Sequence, residues 1–145
     1  MKKTKLLLVC FTVLLSLAFS VSANNQGLQN FTISNQYTEG QFSDVPTIEW
    51  FSSNVATAYE LGLMKGTTAT TFNPKGNVSV AESIVLACRL HSIYNMGTAD
   101  FQQGSPWYQV YVDYAVSNNI VKANEYTNYT ASATRAQFAS ILASA

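Results

Sequence analysis

Two stretches of the chain start a helix in the same way. Ser79-Val80-Ala81-Glu82 and Thr134-Arg135-Ala136-Gln137 each set a hydroxyl residue three positions before a Glu or Gln, just ahead of an apolar run. This is the spacing of a capping box, in which the hydroxyl accepts the N3 amide and the N3 side chain reaches back to the N-cap. Matching segments precede both boxes. Trp50-Phe51 is answered by Trp107-Tyr108, Val55 by Val112, Ala58 by Ala115 and Phe72 by Tyr129. The period of roughly 55 residues suits a helical repeat array. The expected fold is therefore mostly α, with tandem helix-loop-helix units burying their apolar faces on one another.

The first unit is expected over 42–98 and the second over 99–145. Pro46 and Thr47 mark the start of the first helix, and Phe51, Val55, Ala58 and Gly62 follow the spacing of one helical face. Gly62 suits a left-handed residue after the helix, and Asn119 stands there in the second unit because Asn also tolerates that conformation. Phe72 is expected to plug the Pro74- and Gly76-containing loop into the core. The helix from Ser79 carries Ala81, Ile84, Val85 and Cys88 as a stripe. Leu86, Leu90 and Ile93 widen that stripe, so this helix should be covered on more than one side. Its counterpart runs from Thr134 to Ala145 with no Gly, Asn or Pro stop signal, and the second unit reads as C-terminally truncated.

Residues 1–23 read as a secretory signal peptide: Lys2, Lys3 and Lys5, then an apolar run from Leu6 to Phe19, then small residues before Asn24. Residues 24–41 are polar and lack periodicity, as expected of a linker. From residue 24 onward, five basic residues face eight acidic ones, a net charge of −3. No basic patch remains, which argues against nucleic acid, and no membrane contact is expected once the leader is removed. Cys88 is then the one cysteine left. It precludes an intramolecular disulfide and reads as a buried small hydrophobe.

Phe42-Ser43-Asp44-Val45-Pro46, Trp50, Gly62, Gly66, Phe72-Asn73-Pro74 and the Ser79 box together resemble an S-layer homology domain, and Thr134-Arg135-Ala136 is similar to that family's Thr-Arg-Ala-Glu signature. The resemblance implies a secreted protein anchored non-covalently to the bacterial cell wall through secondary cell-wall polysaccharide, often pyruvylated. It implies a pseudo-threefold bundle of three motifs with ligand grooves between neighbours, and a signature Arg that contacts the acidic sugar. This chain has two motifs, so the implied bundle is incomplete, and Val80 stands where the first motif would carry Arg.

Arg135 is accordingly the leading candidate ligand contact. A cation at the first helical position opposes the helix dipole unless an anion is bound there, and a guanidinium grips a carboxylate through two parallel hydrogen bonds. Val80 offers no such chemistry. Thr134 and Gln137 flank Arg135, while Ser79 and Glu82 are read as structural capping. Trp50 and Trp107 could stack on sugar rings or act as packing anchors, the latter being favoured. Asp44 and Gly66 belong to the motif, and Asp44 either accepts sugar hydroxyls or fixes a turn. His91 reads as a helix-end residue. No catalytic constellation, cofactor or metal is expected. The alternative to wall binding is assembly with other repeats, either a second copy or another chain, that complete the bundle.

Overall fold

The computed structural model describes residues 26–145, and the expected leader lies outside them. Among the described residues there are four α-helices: α1 (Ser52–Glu60), α2 (Val80–Met96), α3 (Gln109–Ser117) and α4 (Arg135–Ala143). A 3-10 turn covers Leu28–Asn30, and no described segment forms a strand. The fold is mostly α, and none of the described helices is long and apolar enough to cross a membrane.

Both units are built by the same local rules. Phe51 and Tyr108 precede α1 and α3, and each packs edge-on against the preceding Trp, with ring centroids 5.5 Å apart in both cases. The two helices then end alike. Leu63 N–H donates to Ala58 C=O at 2.9 Å, and Ile120 N–H donates to Ala115 C=O at 2.8 Å. Each bond closes over a left-handed residue, Gly62 (φ 71°) or Asn119 (φ 59°), which frees the chain to turn back under its helix.

Both capping boxes form. Glu82 N–H donates to Ser79 Oγ at 3.2 Å while Ser79 N–H donates to Glu82 Oε2 at 2.7 Å. In the second box Gln137 N–H donates to Thr134 Oγ1 at 3.2 Å, and Thr134 N–H to Gln137 Oε1 at 2.9 Å. The units differ in what lies beyond the box. Val80 and Ala81 donate their amides to Ala131 and Tyr129 of the second unit, while Val78 C=O accepts Ala133 N–H. The matching amides of Arg135 and Ala136 have no such partner among the described residues.

Burial falls into two clusters. The larger gathers Val80, Ile84, Ala87 and Cys88 of α2 with Tyr111, Val112 and Ala115 of α3, closed by Ile120, Val121 and Ile141. Helix α2 is covered by α3, α4 and the 3-10 turn, as its wide apolar stripe requires. The smaller cluster holds Phe42, Val45, Phe51, Val55 and Phe72, edged by Tyr37 and Tyr59. Helix α1 belongs to this cluster and packs against none of the other described helices.

Two expectations need correcting. The described part of the expected linker is docked on the helices. Gly27 N–H and Asn30 Nδ2 donate to Tyr94 C=O, Ser34 and Asn35 N–H donate to Glu60 C=O, and Asn35 Nδ2 donates to Tyr59 C=O. Its Asn and Ser residues thus satisfy carbonyls at the ends of α1 and α2. His91 is also not at a helix end. It lies inside α2, where Nδ1 is 2.8 Å from the Tyr114 hydroxyl of α3.

Candidate functional site

A groove of about 730 Å³ runs along the seam between the two units. One wall is the Leu63–Gly66 turn that follows the left-handed Gly62, continued by Phe72, Asn73 and Asn77 of the next loop. Its floor is the side of α2 that carries Glu82, Val85, Leu86 and Arg89. Gln103, Trp107 and Phe138 of the second unit form the opposite lip.

Three of the candidate ligand and capping residues line this groove. Trp107 is 45% exposed, so its indole face is available as well as packed. Gly66 and Glu82 lie on the opposite wall and the floor. Trp50 does not line it and stands 81% exposed, its ring edge-on to that of Phe51 in the smaller cluster. Packing therefore does not account for Trp50, and it uses only part of Trp107; in both units the aromatic that follows the indole is the more buried of the two. Arg135 is exposed at the first position of α4, with Thr134 and Gln137 occupied in the box beside it. These three do not line the groove, but Arg135 lies one helical turn before Phe138, on the same side of α4.

Asp44 acts from behind the wall. Oδ1 accepts Phe72 N–H at 2.8 Å and Oδ2 accepts Asn73 N–H at 2.6 Å, which pins the loop holding both residues. The Phe72 hydrogen bond is the main cause that holds this carboxyl below its ordinary pKa, with desolvation opposing it. A folded-state pKa below the unfolded value stabilises fully above about pH 4, and that contribution is lost as pH falls through the folded-state value. Asp44→Asn puts an amide donor opposite two N–H groups. Because the carboxylate is largely solvated, the expected loss is about 1 kcal/mol at pH 7. Urea unfolding at pH 7 and pH 3 should show the gap from wild type closing in acid, and a gap that stays constant would contradict this assignment.

The groove mixes an indole face, the apolar Val85, Leu86 and Phe138, the amides of Asn73, Asn77 and Gln103, and the cations Lys65 and Arg89. Such a lining suits a flat, hydroxylated and acidic ligand. It does not suit thiol chemistry. Cys88 lies in the core with Sγ–H directed to Tyr111 C=O at 3.2 Å, and burial pushes its pKa up to about 12 against a smaller pull from Arg89. Among the described residues, no three His, Cys, Asp or Glu side chains come together to hold a metal.

Lys65 and Arg89 went unrecognised in the sequence. Arg89 was nevertheless visible as a lone charge inside the apolar run Ile84–Leu90, where a cation demands a specific partner.

The family model of the S-layer homology domain matches residues 41–82, from the Phe42 turn to the end of the Ser79 box. The Surface-layer 125 kDa protein of Lysinibacillus sphaericus is 29% identical over 88 residues, 58% of this chain. The chain spans about 8% of that relative's length. No solved structure gives a significant match. The matched residues carry the Asp44 clamp, the Gly62 and Gly66 turns and the first capping box, and it is over this segment that the chain is similar to an S-layer homology domain.

Proposed function

We propose that this protein attaches non-covalently to the bacterial cell wall by holding an acidic secondary cell-wall polysaccharide, of the pyruvylated kind, in the groove between its units. The observation that carries this reading is Trp107, half-exposed across the groove from the Leu63–Gly66 turn of the matched domain. An indole set against a wall of amides and a lysine can stack on a sugar ring while its substituents are hydrogen-bonded. Arg135, exposed one turn from Phe138, is proposed as the contact for a further acidic group along the polymer, where the unpaired first amides of α4 also favour an anion. The surface-layer relative supports a cell-surface role.

Co-sedimentation with purified Lysinibacillus sphaericus walls, before and after extraction of their secondary polymers, tests the reading. Trp107→Ala is expected to weaken binding more than tenfold and Arg135→Ala severalfold, with helix content unchanged by circular dichroism. Full binding to extracted walls would overturn the reading.

A second reading, assembly with another repeat-bearing chain, is favoured by one contrast. The outer face of α4 repeats positions that α2 buries, and its first two amides lack the partners their counterparts have. Arg135, Ala139 and Ser140 replace Val80, Ile84 and Val85 there, so little apolar area is on offer. Light scattering on the same preparation decides between them, since a monomer that still sediments with walls rules assembly out as the requirement.

A further inference from the structure

Arg89 is nine-tenths buried in the third turn of α2, yet it has no carboxylate within 4 Å among the described residues. The ion pair formed in this region is Lys75–Glu49, at 3.6 Å. The partners of Arg89 are neutral: Nη1 donates to Leu63 C=O at 3.0 Å, Nη2 donates to the Tyr111 hydroxyl at 3.3 Å, and the guanidinium sits 5.8 Å from the Tyr111 ring centroid. Burying a cation without a counter-charge is costly, and the penalty is unnecessary if the group serves only as a strut.

We infer that Arg89 is the positioning residue of the groove and, with Lys65, the source of a preference for carboxylated over neutral saccharides. This rests on the polysaccharide reading above. The two hydrogen bonds tie opposite sides of the groove to one side chain. Leu63 begins the turn that carries Lys65 and Gly66, and Tyr111 lies in the first turn of α3, whose N-cap Tyr108 directly follows Trp107. Arg89 therefore sets the spacing between the turn and the indole. Its charge, held in the partly desolvated floor of a groove that Lys65 also lines, is less screened than that of a surface arginine. Glu82 also faces the groove, but its Oε2 is taken by Ser79 N–H and Oγ at the positive end of α2.

Two measurements on the full chain test this. In the first, wall affinity is followed against NaCl concentration for wild type, Arg89→Lys, Arg89→Met and Tyr111→Phe. Arg89→Met should lose more than tenfold and flatten the salt dependence. Arg89→Lys should keep the salt dependence while losing a few-fold, because an ammonium cannot bridge both partners. Tyr111→Phe should lower affinity without changing the salt dependence. In the second, wild type is titrated with sodium galacturonate and separately with its neutral methyl ester. The Nε–H resonance of Arg89 and the Nζ resonance of Lys65 should move only with the acid.

Arg89→Met and Arg89→Lys behaving alike, or an Arg89 resonance indifferent to galacturonate, would overturn the inference. A wild type that ignores walls while galacturonate still moves Arg89 would instead sink the anchoring reading and leave this one standing.

Discussion

Gly66→Ala is expected to cost about 2–4 kcal/mol of folding stability, a far larger penalty than one methyl group suggests. Gly66 has φ 83°, a left-handed conformation that disfavours any Cβ. A Cβ built there would lie 2.8 Å from Phe42 Cε1 and 2.8 Å from Thr71 C=O. Neither neighbour yields easily. Phe42 is 1% exposed and held between Tyr37, Tyr59 and Phe72, and the Thr71 oxygen accepts Thr67 and Thr68 amides. The turn must open, and the groove wall opens with it. Denaturant unfolding and wall sedimentation of the variant should fall together. Native stability with lost binding would mean that Gly66 serves only to let a ligand approach.

Ile84→Ala should cost about 2–5 kcal/mol, whereas Ala139→Ile at the same repeat position should stay within about 1 kcal/mol of wild type. Five residues after its N-cap hydroxyl, Ile84 is fully buried between α3 and α4, and truncation leaves a cavity in the larger cluster. Ala139 lies on the exposed side of α4. The chemistry of the two positions is nearly the same, and only what covers them differs. Thermal melts of both variants check the pair, and equal effects would show that the outer face of α4 is covered in solution.

Features decided within a few residues were readable before any coordinates. The two capping boxes and the left-handed Gly62 and Asn119 each follow from local geometry. The burial of Cys88 followed from its apolar neighbours. Features set by distant partners were not readable. Residues 26–41 dock through backbone donors and short amides, which leave no hydrophobic periodicity to detect. Trp50 looked like an anchor because residue type alone does not say which of two adjacent aromatics turns inward. Of the candidate site, Trp107 and Gly66 were found through the repeat and its motif. Arg89 depends on Leu63 and Tyr111, 26 and 22 residues away, and no local pattern joins the three.

The separation of the buried residues into two clusters bears on how the molecule opens. Helix α1 and the aromatic group around Phe42 share no buried residue with the three-helix core, so the first can come apart while the second holds. The seam between them is the groove itself, with one wall on each body. A polymer lying along that seam grips both, and its binding free energy is then also the energy that makes them unfold as one.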